Sequence, residues 1–168
     1  MRTIDSERRL VVVDIENVLF GCRALTVEQA MRLVLREIGK SGQDQIVIAA
    51  SSKTFAHYGM PILGARIRLG VGVDGADHAL LEVLHEDVES RFSEVVVVSG
   101  DHIFAPRIAE LTAAGLSVNV IAPRGALSTE IRAEADTVRY LDAIGSPGAC
   151  VPRLPLKRRA LSGMRCAA

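Results

Sequence analysis

GVGVDGAD, residues 70–77, joins an apolar run, ARIRLG (65–70), to a stretch in which Ala79, Leu80, Val83, Leu84 and Val88 recur at helical spacing. A β-branched run, a glycine-rich turn and an amphipathic segment together make the junction of a strand–helix unit. The first six letters fit G-x-G-x-x-G, a turn that cradles a dinucleotide pyrophosphate, but the second half carries two acids, Asp74 and Asp77. Those two uses require opposite charges. Position decides between them: a dinucleotide turn follows the first strand of its fold, and here the first strand runs into DIEN, residues 14–17. Asp77 also takes the start of the next helix, where free amides would otherwise attract a phosphate. DGAD is therefore the informative half, with Gly75 read as the hinge that turns the chain.

The same junction repeats along the chain. RLVVVDI delivers Asp14 at its end, QIVIAAS leads to a loop or short helix with Lys53, His57 and Tyr58, EVVVVSG runs into Asp101, and LSVNVIA ends at Pro123. Thr26 is placed to N-cap a helix with Ala30, Leu33, Val34 and Ile38 on its buried stripe and Gly39 at its end. A helix through Ile108 and Leu111 stops at Gly115, a shorter one spans residues 127–134, and TVRYL is a candidate edge strand. Alternating strands and helices predict an α/β three-layer sandwich: a central, mainly parallel sheet of about five strands with helices on both faces.

Length and composition agree. The 168 residues suffice for one core but not two, and Val, Leu, Ile and Ala dominate over scarce aromatics. Net charge is zero, but residues 151–168 hold Arg153, Lys157, Arg158, Arg159 and Arg165 without an acid, leaving the rest of the chain at −5. The sequence thus predicts a folded domain over residues 1–144 and a basic, disordered tail over 145–168, either an arm for polyanions or a solubilising end. Cys22, Cys150 and Cys166 are odd in number and lack metal-site spacing, and Leu10–Val13 is too short for a signal or membrane segment. The expected setting is cytoplasmic, without membrane association.

In an open parallel sheet, ligands bind outside the carboxyl ends of the strands. Strand one brings Asp14, with Glu16 and Asn17 beyond it; strand three brings Asp74 and Asp77; strand four brings Ser99, Gly100 and Asp101. A lone Asp at such a place is ordinarily a helix cap or turn residue, but four on one edge repel unless a cation compensates. Hard oxygen donors suit Mg²⁺ or Mn²⁺. Lys53 and Arg124 flank the acids and can hold phosphates. Ser128 reads as an N-cap that also stands near Arg124, and Ser99 with Gly100 as a tight turn that orients Asp101. His102 reads as a capping or solvated residue, His78 and His85 as surface residues, and Phe104 as core rather than a base-stacking platform.

VVVDIENV, GVDGADHALL and VVVVSGDHIFAP, in that order, with the later GLSVNVIAPRGALS, resemble the NYN branch of the PIN-like nucleases from about Leu10 to Leu141. The resemblance implies a PIN-like, Rossmann-like fold and an endoribonuclease, a hydrolase of RNA phosphodiester bonds. It puts catalysis on Asp14, Asp77 and Asp101, the metal on these and Asp74, and support on Asn17, Ser99 and Gly100. Lys53, Arg124 and Ser128 remain for phosphate. Many relatives carry a further Asp where this chain has Ile103, so the ligand set is smaller here. RNA is the implied partner; the oligomeric state and an inhibitory protein partner stay open. The other reading is a PIN-like module that binds RNA or protein without cutting. Phosphatases that need D-x-D after strand one, and receivers that need adjacent acids there, fit less well.

Overall fold

The structure is a computed structural model that describes residues 8–22, 25–39, 43–58 and 64–141, side chains at 57 and 58 excepted. The expected basic tail lies outside the described residues. Six strands form one sheet: β1 (Arg9–Asp14), β2 (Asp44–Ser51), β3 (Ala65–Gly70), β4 (Glu94–Val98), β5 (Ser117–Pro123) and β6 (Thr137–Leu141). Their order is β3-β2-β1-β4-β5-β6 and every pairing is parallel. TVRYL is the edge strand expected of it, pairing with β5 from Asn119↔Thr137 to Pro123↔Leu141, and it brings the sheet of about five strands to six.

The helices are α1 (Ile15–Gly21), α2 (Val27–Ile38), α3 (Ser52–Tyr58), α4 (Gly75–Leu84), α5 (Val88–Arg91), α6 (Ala105–Ala113) and α7 (Thr129–Glu134). Successive strand residues point to opposite faces, so β1 and β4 can be apolar throughout only if both faces are covered. They are. Val11, Val13, Val96 and Val98 pack with Ile15, Val18, Leu33 and Val34 of α1 and α2, whereas Val12, Val95 and Val97 pack with Leu80 and Leu84 of α4, Ile108 of α6 and Ile131 of α7. Each such side chain, fully buried, contributes about 1.5–3 kcal/mol relative to exposure.

Local signals place the helix ends. Thr26 and Gln29 close a capping box, each side chain bound to the other's backbone amide, and α2 ends at Gly39 in the left-handed region. Gly115 (φ +95) ends α6 as expected. Two boundaries differ from expectation. Strand one stops at Asp14 and α1 begins at once, and the helix after DGAD ends at Leu84, with Val88 opening α5 behind Asp87 (φ +52). Arg107 of α6 is buried where these pieces meet: its guanidinium donates twice to the Leu84 carbonyl oxygen and pairs with Glu89 and Glu110. Among the described residues, no helix is long and apolar enough to cross a membrane.

Candidate functional site

Strand order reverses between β1 and β4: the connection from β1 leads to β2 on one side and that from β4 to β5 on the other. The crevice of a doubly wound sheet opens at such a point, outside the carboxyl ends. Asp14 closes β1 there, and Ser99, Gly100 and Asp101 leave β4 beside it.

Asp14 is 4% exposed. It is the N-cap of α1, accepting from the Asn17 amide at 3.1 Å through Oδ1, while Oδ2 accepts from the Ser99 hydroxyl at 3.0 Å. Burial pushes its carboxyl above the usual range, and the bonds from Asn17 and Ser99 offset only part of that. Ser99, fully buried, also accepts the Asp101 amide at 3.2 Å, so one hydroxyl ties the acid of β1 to the backbone of the second acid. Asn17 returns the link: its Oδ1 accepts from the Gly100 amide at 3.1 Å. The Asn17 side chain therefore holds the β4 loop through its oxygen.

Asp77, in the first turn of α4, meets Asp14 carboxyl to carboxyl. Burial, then the charges of Asp14 and Asp101, the hydrogen bond to Asp14 and the charge of Asp74 push it up to about 7. Below neutrality the Asp77 carboxyl holds a proton, which it donates to Asp14. Asp101 caps a single 3₁₀ turn, His102–Phe104, through the Ile103 amide at 3.1 Å. The Nδ1 of exposed His102 lies 3.1 Å from the same carboxylate. Phe104 is fully buried, as expected, and Ile103, where the resemblance implied an acid in many relatives, packs against the core.

The glycines that bring the acids together differ in role from the expectation. The chain reverses at Gly72 (φ +84) and at Asp74 (φ +52) rather than at Gly75. Gly75 is needed for close approach: a Cβ on Gly70 would lie 2.1 Å from the Ala76 nitrogen, and one on Gly75 2.8 Å from the Gly70 carbonyl carbon. Helix α4 can thus start directly against the end of β3. Gly100 is equally confined, since its Cβ would fall 2.1 Å from the Ala126 oxygen; its own carbonyl accepts the Ser128 amide at 2.9 Å. Ser128 caps α7 through the Ile131 amide, as expected.

The cations stand apart from the acids. Lys53 is exposed on α3, beyond β2, and the Arg124 guanidinium lies over the Tyr140 ring at 4.9 Å, on the β6 side. Glu16 was passed over as a site residue in the sequence, yet its carboxylate is gripped at this edge by the Ser51 hydroxyl (2.5 Å), the Thr54 hydroxyl and the Ser51 amide (3.3 Å). Although burial pushes Glu16 upward, these donors hold it below the usual carboxylate range. Ser51 and Thr54 could be associated with Glu16 only once β2 is known to lie beside β1.

The donor set is of the kind a hard divalent cation takes: the Asp14 and Asp77 carboxyls meet, and their repulsion is relieved by a proton that a cation can replace. Among the described residues, no three His, Cys, Asp or Glu side chains close into a ready-made metal cage. Asp14 and Asp77 are the contacting pair, with Asp101 and Asp74 acting on Asp77 through their charge.

A family model described as NYN domain matches residues 8–142. The fold is similar to a crystal structure of a protein of unknown function from Vibrio parahaemolyticus, with a TM-score of 0.59 at 16% identity over 84% of this chain and 97% of that one. No curated protein matches the chain.

Proposed function

This chain belongs to the NYN domain family, and from that premise we propose that it is a metal-dependent ribonuclease that hydrolyses RNA phosphodiester bonds within the chain. The observation that carries the reading is the carboxyl–carboxyl contact of Asp14 and Asp77 at the point where strand order reverses. Mg²⁺ or Mn²⁺, when bound, would acidify a water into a nucleophile and stabilise the leaving oxyanion.

The chain's own residues supply the rest. Asp14, Asp77 and Asp101 would hold the ion, with Asp74, exposed and making no side-chain cap bond, open to join directly or through water. Ser99 keeps Asp14 and Asp101 at a fixed separation because it bonds both, and Asn17 holds the Gly100 amide so that the β4 loop cannot drift from α1. Lys53, Arg124 and Ser128 are the residues left to meet phosphates on either side. The Ser99 hydroxyl at the acid pair is fully buried and engaged with Asp14 and the Asp101 amide, which favours direct attack by water over a covalent intermediate.

A second reading has its own observations in favour. With Ile103 packed into the core and no closed cage among the described residues, the same edge could bind RNA or a protein without cutting. Incubating the purified protein with single-stranded RNA and Mn²⁺, with and without EDTA, separates the two. Fragments that appear with Mn²⁺ and vanish with EDTA support hydrolysis. Intact RNA in both, with binding that survives EDTA, supports the module.

A further inference from the structure

We propose that Glu16 is a positioning residue that fixes the first turn of α3 so that the Lys53 ammonium serves as an RNA phosphate contact at the same edge of the sheet as the acids, one strand out from them. The proposal rests on the ribonuclease reading and names a contact for its substrate. Registration puts α3 at the right place. Asp14 pairs with Ala49 across β1 and β2, so Ser51 stands two residues beyond the level of Asp14 on the neighbouring strand, roughly 8 Å away by strand geometry, and α3 begins after it.

Glu16 grips this turn from α1 at both ends of a four-residue span. Its Oε1 accepts the Ser51 amide and hydroxyl and the Thr54 hydroxyl, and the Ser51 hydroxyl in turn accepts the Thr54 amide at 3.2 Å. Lys53 lies between the two gripped residues. All three donors converge on the one oxygen, Oε1, which aims the carboxylate at Ser51 and Thr54, and no ion pair forms between Glu16 and Lys53. Among the described residues, the Lys53 ammonium has neither an ion pair nor a hydrogen bond, while Ser51 and Thr54 on either side of it are held. A cation presented without a partner, on a turn braced against the helix that Asp14 caps, is arranged for an anion from outside.

The sign of the effect distinguishes positioning from plain electrostatics. Removing a carboxylate beside an RNA path should tighten RNA binding if charge alone matters. Positioning predicts the reverse. The full chain carrying Asp101→Asn, in Mg²⁺, is titrated with a fluorescently labelled single-stranded RNA across a salt series. Lys53→Ala is expected to weaken binding about five-fold and reduce the salt slope by about one phosphate contact. Glu16→Ala is expected to weaken binding similarly, Glu16→Gln to retain it because the amide oxygen still accepts both hydroxyls, and Glu16→Ala with Lys53→Ala to be no weaker than Lys53→Ala alone. Unchanged binding by Lys53→Ala, or equal or tighter binding by a folded Glu16→Ala, overturns the proposal. If Glu16→Ala fails to fold, Lys53→Ala decides alone. RNA binding by the parent with no effect of Lys53→Ala removes this inference only; no RNA binding by the parent removes the ribonuclease reading as well.

Discussion

Asp14 and Asp77 share a hydrogen bond between their carboxyl groups, although one ends β1 and the other opens a helix two strands away in sequence. Two carboxylates in contact cannot both be ionised cheaply, so the pair makes the protein's stability depend on pH and on cations.

In the cation-free protein Asp77 is pushed up to about 7 from an ordinary 3.8. Between those values the folded state keeps a proton that the unfolded chain has lost, so stability falls as pH rises from about 4 to about 7. Asp14, also pushed upward, acts in the same sense. Thermal unfolding in chelator should give a higher melting temperature at pH 5 than at pH 8. Asp77→Asn should shrink that difference, and Mg²⁺ should raise the pH 8 value in the parent. Melting unaffected by pH and Mg²⁺ would show that the pair is not strained.

Ser99→Ala leaves one oxygen of buried Asp14 and the Asp101 amide without their shared partner. The expected cost is about 1–3 kcal/mol, read by urea unfolding, together with a marked loss of activity. A variant as stable and as active as the parent would remove Ser99 from the account.

Gly100→Ala places a methyl group 2.1 Å from the Ala126 oxygen, which belongs to backbone and cannot swing aside. The loop carrying Ser128 must shift, at a cost of about 1–3 kcal/mol. Denaturant midpoints measure it, and an unchanged midpoint would mean that this approach is looser than the geometry states.

Arg107→Leu should destabilise by about 2–4 kcal/mol without altering RNA binding, since it strips the Leu84 carbonyl oxygen and Glu89 of their donor far from the acid edge. Unfolding and RNA titration of the same preparation test both halves.

Much of the fold was legible because its signals are local. Apolar runs such as VVVV between turn residues identify buried parallel strands, and Thr26, Gly39, Gly115 and Ser128 mark helix ends by their own chemistry. Helix α1 escaped because seven residues are too few for periodicity to speak, and because Asp14 serves strand, cap and site at once. The glycine roles in GVGVDGAD were misassigned for a related reason. A sequence shows that glycine is needed but not whether it supplies a left-handed turn, as Gly72 does, or space for another backbone, as Gly75 does. The acids themselves could be gathered from strand ends alone. Their supports could not: the bonds of Ser99 to Asp14, Asn17 to Gly100 and Glu16 to Ser51 all cross between strands whose order only the folded chain reveals.

The central claim, that these carboxylates hold a metal for RNA hydrolysis, is met most directly by Asp101→Asn. Asparagine can still accept the Ile103 amide and cap the 3₁₀ turn, so the fold should persist while a charged ligand is lost. With Mn²⁺ and single-stranded RNA, the account predicts that the parent produces EDTA-sensitive fragments and that Asp101→Asn, with an unchanged circular dichroism spectrum, produces none. Undiminished cleavage by the folded variant would contradict it.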